Sequence, residues 1–354
     1  MINPEQIGRD RRMVVLTDGH SNPITAKTAC SVLRYCPNEV VAVLDTDAVG
    51  KTAGELLGVG GAIPVVADVG SAADANTLLI GIAPPGGKIP AHWRPIVLDA
   101  ITRGLNVVSG LHDFLSSDQE FAGAAAVSGS KLIDVRRNDE HDVADRQNIR
   151  SECLRILTVG QDCCVGKMVV AIELAGAIRA SQYNAKFVAT GQTGIMIEGD
   201  GCPIDCVVAD FISGAVEKQI LAQQHHDILL VEGQGSLAHP RYSAVTLGLL
   251  HGCMPQGMIL CYEAGRETTN GMPYVDLQPL AALREAYESM ANMMGPSKVI
   301  GVAMNSRLLS VEAAEAERAR VQDEFGLPVC DVLRHGPEDL VDAVLQLKHE
   351  LIPV

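Results

Sequence analysis

The segment VGQDCCVGKM (Val159–Met168) has the residue types and spacing of a phosphate cradle. Gly160 closes an apolar run and Gly166 and Lys167 open a helical pattern, so the backbone N–H groups between the glycines would turn inward toward an anion. The positive end of the helix dipole and the Lys167 ammonium add charge at that point. The spacing between the glycines is one residue longer than in the common Walker A loop. The residue after the lysine is Met168, where a Ser or Thr ordinarily holds magnesium, and Val169 and Val170 offer no hydroxyl either. Further groups able to do chemistry stand at the ends of later apolar runs: Glu232 to Arg241 in VEGQGSLAHPR, Gln192 and Thr193 in TGQTG, Asp205 and Asp210 beyond it, and Asn305 at the end of KVIGVAMN.

Such groups need strands and helices to converge. Short β-branched runs alternate with helical patterns from MVVLT (13–17) through EVVAVLD (39–45), TLLIGIA (77–83), NVVSG (106–110) and KLIDV (131–135), with helices expected at 24–36, 95–104 and 119–128. The alternation restarts at RILTV and continues through KFVAT, DILLVEG, GMILCYE, KVIGVAMN and LPVCDV. The pattern predicts two parallel-sheet α/β domains. The charged, aperiodic segment 136–152 is the natural linker, which gives a Rossmann-like domain over 1–147 and a P-loop NTPase-like domain over 148–354.

Composition narrows the partners. Hydrophobic residues make up 47% and aromatics only 3%, a palette suited to strands covered on both faces. A net charge of −15 without a Lys/Arg cluster speaks against nucleic acid or an anionic membrane surface as a partner. No run is long and apolar enough to span a bilayer, and the opening MINPEQIGRDRR is too polar for an export signal, so a cytoplasmic protein is expected. The ten cysteines are expected as reduced thiols, and Cys202 and Cys206 lack a second ligand pair at zinc spacing, so no metal site is expected. A symmetric homo-oligomer is the default assembly.

In the first domain the turn TDGHSNPITAK has one glycine, Gly19, where a dinucleotide fingerprint needs several. Asp45 stands where an acidic residue can hold a ribose, so NAD binding rests on one feature against a scaffold or dimerisation role. Loops 81–90 and 108–118 offer Lys88, His112 and Asp113 as substrate contacts, against the alternative that these side chains simply meet water.

The loop G-x-D-x-x-x-G-K followed later by DILLVEGQGSL resembles the dethiobiotin-synthetase branch of P-loop enzymes. With ATGQTGIMI, VVADFISGAVE, VEGQGSLAHP, GIAPPGGKIP and the opening SNPITAKTA, the whole chain is similar to a family, long known as a P-loop domain of unknown function, whose members have been assigned D-glutamate N-acetyltransferase activity. The resemblance implies acetyl transfer from acetyl-CoA to the amine of D-glutamate, with an acidic amino acid and a phosphate-bearing co-substrate as the small-molecule partners. Acetyl-CoA carries phosphates that need binding and no cleavage, which suits a loop without a magnesium ligand. A dethiobiotin-synthetase-like ligase or kinase using ATP with Mg²⁺, or a nucleotide-binding regulator without turnover, stays open.

Acyl transfer to an amine needs a base, oxyanion donors and a clamp for carboxylates. Glu232 is the candidate base, His239 its rival, and Asp210 a third acid that would face the loop, while Asp205 reads as a helix cap. The N–H groups of Gly233, Gln234 and Gly235 are candidate oxyanion donors. Gly160, Asp162, Cys164, Val165, Gly166, Lys167 and Met168 would hold the phosphates, and Asn305 would read an adenine edge. Gln192, Thr193, Gln234, Arg241 and His112 are the candidate substrate contacts, Arg241 as a bidentate clamp.

Overall fold

A computed structural model describes residues 7, 10–84 and 86–351. The reading of the opening residues as too polar for an export signal falls, for residues 1–6, 8 and 9, outside the described residues, as does Pro85 of the loop 81–90. The chain forms two compact units, one of residues 1–138 with 192–203, the other of 139–191 with 204–354.

The first unit holds a six-stranded sheet of β1 (Met13–Leu16), β2 (Val40–Leu44), β3 (Val65–Val66), β4 (Thr77–Ile80), β5 (Asn106–Ser109) and β6 (Leu132–Asp134). Their spatial order is β3-β2-β1-β4-β5-β6, parallel at every pairing, which is the Rossmann-like arrangement. β1 and β4 are buried at every position because helices cover both faces. The helix Lys27–Tyr35 buries Thr28, Ala29, Val32 and Leu33, an i, i+4 stripe that fixes which side packs.

The second unit holds β7 (Leu154–Gly160), β8 (Ala185–Val188), β9 (Ile228–Val231), β10 (Gly257–Glu263), β13 (Lys298–Asn305) and β14 (Val329–Cys330), with a separate hairpin of β11 (Thr268–Thr269) and β12 (Met272–Asp276). The order is β14-β13-β10-β7-β9-β8, again parallel throughout. β7 and β10 are buried at all positions, and each buried Leu or Ile of that kind stabilises the fold by about 1.5–3 kcal/mol. The chain leaves β7 for one side of the sheet and returns to the other, so Gly160, Glu232, Glu263 and Asn305 gather at the carboxyl ends of the central strands, where open α/β sheets bind ligands.

The passage between units falls at 138/139, ahead of the boundary read near 148. The charged segment already belongs to the second unit because its polar groups dock on the helix Ile212–Gln223. Lys218 Nζ pairs with Glu140 and Asp142, each at 2.9 Å, and the N–H groups of Asp145 and Arg146 donate to the Glu217 carboxylate at 3.0 and 2.9 Å.

Candidate functional site

The cradle is built at the end of β7. The helix Lys167–Ala180 starts directly after Gly166, and the N–H groups of Gly166, Lys167, Met168 and Val169 donate to no carbonyl among the described residues. These are the orphan donors of a helix N-terminus. Lys167 is buried, and its Nζ donates to the Asp162 carbonyl at 2.8 Å, which folds the ammonium back over the loop.

Tyr287 fixes the loop's base. Its hydroxyl donates to Gly160 O at 2.8 Å and accepts from Leu237 N at 3.1 Å, joining the phosphate loop to the segment after β9. That segment must run close to β7. A Cβ at Gly233 would lie 1.7 Å from Thr158 O, so only glycine fits there.

Asp162 has no exposed surface, and its carboxylate faces inward. It accepts from Cys163 N at 2.6 Å, from Asn270 N at 2.7 Å and from Arg266 Nη1 at 3.0 Å. The side chain expected to hold phosphate is instead a brace between the loop and the β11–β12 hairpin: its carboxylate has no donor to offer a phosphate, and its lone pairs are taken by these three N–H groups. Met168 is half-buried and Cys164 is exposed at φ +57°.

Glu232 follows β9 and is buried. Oε2 accepts from Thr190 N at 3.0 Å and Gly191 N at 3.1 Å, and Oε1 from Gln234 Nε2 at 3.1 Å. Three of about four acceptor sites are thereby filled and one on Oε1 is left. Burial first, and the charge of Asp205 to a lesser degree, raise its pKa to about 7 against the opposing hydrogen bonds from Thr190, Gly191 and Gln234. A carboxylate poised near neutrality suits proton transfer.

The rival acids and bases are placed differently. His239 is buried with both ring nitrogens engaged: Nδ1 accepts from Arg241 N at 3.1 Å, so Nε2 carries the proton and faces Asn270 O at 3.3 Å. No lone pair is left for a base, and this tautomer also fits poorly with a metal on Nε2, although Asp162, Cys163 and His239 offer ligand atoms within 4.8 Å of one another. Asp210 is exposed in the turn Ala209–Phe211 ahead of the helix Ile212–Gln223; the acid whose charge reaches Glu232 is Asp205, read from the sequence as a cap.

Of the expected oxyanion donors, Gly233 N is engaged by Thr158 Oγ1 at 3.0 Å. Gln234 N and Gly235 N remain, while the Gln234 side-chain amide holds Glu232 and Thr190 Oγ1 (3.2 Å). Asn305 ends β13 beside Glu263, its Oδ1 accepting from Arg307 N at 3.3 Å. Arg241 is exposed and forms no ion pair among the described residues. Gln192, Thr193 and His112 belong to the first unit. There the Thr193 hydroxyl is bonded to Thr28 Oγ1 at 2.9 Å, Gln192 packs on Gly110, and His112 is exposed with its N–H on Gly87 O. In the same unit Asp45, the expected ribose ligand, is held by Ser21 Oγ and Asp47 N.

Residues 142–341 match the P-loop domain, and residues 46–138 the Rossmann-like domain, of the domain of unknown function DUF1611. The chain belongs to the DUF1611 family. A DUF1611 family protein from Anabaena variabilis, known from its crystal structure, superposes with a TM-score of 0.89 at 36% identity, covering 95% of this chain and 99% of that one. Two relatives bear the name D-glutamate N-acetyltransferase. One, from Tritonibacter scottomollicae, is 36% identical over 323 residues, 91% of this chain and 94% of its own; the other, from a Pseudoalteromonas species, is 37% identical over 270 residues, 75% and 80%. Their name is that of an enzyme. This DUF1611 chain is matched over 91% of its length by the first of them and 75% by the second, and no helix among its described residues is long and apolar enough to cross a membrane.

Proposed function

We propose that this DUF1611 protein is an N-acetyltransferase that moves the acetyl group of acetyl-CoA to the amine of D-glutamate, with the phosphates of the donor gripped by the loop Gly160–Met168. The observation that carries this reading is the helix N-terminus at Gly166–Val169, with unmatched N–H donors and a buried Lys167 beside them. The relatives' name supplies the reaction and the acceptor.

The donor set fits the magnesium chemistry of phosphoryl transfer poorly. Met168 presents a thioether to a hard cation, Val169 and Val170 present hydrocarbon, and Glu232 has three N–H donors on its oxygens. Holding a pyrophosphate intact asks only for N–H groups and an ammonium. In acyl transfer the Glu232 carboxylate accepts a proton from the substrate ammonium, and the freed amine attacks the thioester carbonyl. Charge develops on the carbonyl oxygen near Gln234 N and Gly235 N; as the tetrahedral adduct collapses, the nitrogen releases its second proton to solvent and coenzyme A leaves as the thiol with the proton held on Glu232. Arg241 takes a carboxylate of the acceptor, and Asn305 meets the adenine edge. The chain works as a soluble homo-oligomer in this reading.

Purified protein with acetyl-CoA and D-glutamate is expected to release free thiol in the presence of EDTA. Thiol release at background, with ADP formed from ATP and Mg²⁺ on adding an acceptor, would replace this reading with the ligase or kinase.

A further inference from the structure

The hairpin β11–β12 is a part of the second unit for which acyl transfer as described gives no role. Its tip is the Asn270–Gly271 turn, and the tip is tied down at several points. Asn270 N donates to the buried Asp162 at 2.7 Å, and Asn270 O faces His239 Nε2 at 3.3 Å. His239 in turn receives the backbone N–H of Arg241 at 3.1 Å. Arg266, which leads into the hairpin, bonds both the Asp162 carboxylate and Cys163 O, at 3.0 and 2.8 Å. The Arg241 guanidinium lies over this tip: a Cβ on Gly271, which sits at φ +72°, would be 3.6 Å from its Nη1.

The charges here are unequal in their commitments. Arg266 is paired with Asp162 and Glu263, and Arg307 with Glu263. Arg241 is exposed and pairs with no acid among the described residues, in a chain whose net charge is −15. An exposed guanidinium beside a turn that carries no side chain leaves its fork open to a planar anion. We infer that the Asn270–Gly271 tip is the specificity element of the acceptor site, placing Arg241 to bind the side-chain carboxylate of an acidic amino acid, with Asp162 as the positioning residue that ties this element to the phosphate loop. The inference rests on the proposed acetyl transfer.

The choice of the side-chain carboxylate follows from depth. The amine must reach Glu232, which is 5% exposed, and the α-carboxylate is attached one carbon away from that amine. The side-chain carboxylate is the remote group, and Arg241 is exposed where Glu232 is buried, which suits the group farther from the amine. Asp162 and the tip act through Arg241 and touch no reacting atom.

The test compares kcat/KM for D-glutamate with that for D-glutamine, which replaces the carboxylate by an uncharged amide of the same shape. For Arg241→Gln the preference for glutamate is expected to fall on the order of 30-fold, the effect of losing a charge-assisted hydrogen bond. Gly271→Ala, which strains the turn and places a methyl against the guanidinium, is expected to lower the same ratio several-fold while the KM for acetyl-CoA stays within twofold. Asp162→Asn should lower the ratio as well, and Asp162→Glu should restore part of it. A merely structural role for the hairpin would reduce both amino acids equally and leave the ratio unchanged, and that result overturns the inference. If the wild-type protein acetylates neither amino acid, the proposed function fails; if it acetylates both and Arg241→Gln or Gly271→Ala leaves the ratio intact, only the inference fails.

Discussion

Glu232 gives the acid–base reading a quantitative handle. Its pKa rises from the ordinary 4.5 to about 7, chiefly through burial. At about 1.4 kcal/mol per pH unit, this amounts to about 3 kcal/mol between the two protonation states. The sign follows from which state binds the proton more tightly. The folded protein does, so between pH 4.5 and 7 it holds more protons than the unfolded chain, and stability falls as pH rises through that window. The contribution is fully present below 4.5 and gone above 7. Glu232→Gln keeps the shape, is neutral at every pH and can still accept from Thr190 and Gly191 through its carbonyl oxygen. The variant should therefore melt several degrees above the wild type at pH 8, and the gap should close by pH 5, measured by differential scanning calorimetry on the transition of the second unit. In the same variant kcat/KM should drop about 10²- to 10⁴-fold, while the wild-type kcat/KM rises with pH to a plateau above an apparent pKa of about 7. A wild-type rate flat from pH 6 to 8, with a melting difference independent of pH, would refute the assignment of Glu232 as the base.

Other substitutions probe the scaffold of the site. Lys167→Ala removes the ammonium from the loop and should raise the KM for acetyl-CoA at least about tenfold, the worth of a hydrogen bond to a charged group, with a smaller change in kcat; steady-state kinetics at saturating D-glutamate read it. Gly233→Ala drives a methyl into Thr158 O and should cost more than about 4 kcal/mol, seen as loss of soluble protein or a collapsed melting temperature. Tyr287→Phe leaves Gly160 O and Leu237 N without their shared partner. It should cost about 1–3 kcal/mol of stability and loosen acetyl-CoA binding in titration calorimetry.

Much of this was readable from the chain. The runs RILTV, DILLVEG, GMILCYE and KVIGVAMN announce themselves because strands buried on both faces must be apolar throughout, and the glycine–lysine loop at Gly166 shows in sequence because a helix N-terminus needs those types at that spacing. β3 and the β11–β12 hairpin escape the same reading: β3 and β11 are two residues each, and β12 carries exposed Pro273 and Tyr274, too little pattern to register. The role of Asp162 was hidden because its partners Arg266 and Asn270 lie more than a hundred residues away. His239 loses its role as base to the backbone N–H of Arg241, a contact set by the turn rather than by residue type. Gln192 and Thr193 follow a strand of the second unit yet pack in the first, because the chain crosses over at Gln192 and returns after Pro203, and nothing in the local pattern of TGQTG marks that crossing. Asp205 rather than Asp210 is the acid whose charge reaches Glu232 for a similar reason, since five residues of loop decide which carboxylate comes near it.

The most direct test of a phosphate cradle that anchors its ligand without breaking it is to follow thiol release and nucleotide cleavage in the same reaction. With acetyl-CoA, D-glutamate and EDTA, the rate of thiol release should equal that with magnesium present, and ATP supplied in place of acetyl-CoA should remain uncleaved. Thiol release that vanishes with EDTA, or ATP cleaved to ADP when D-glutamate is added with magnesium, would contradict it.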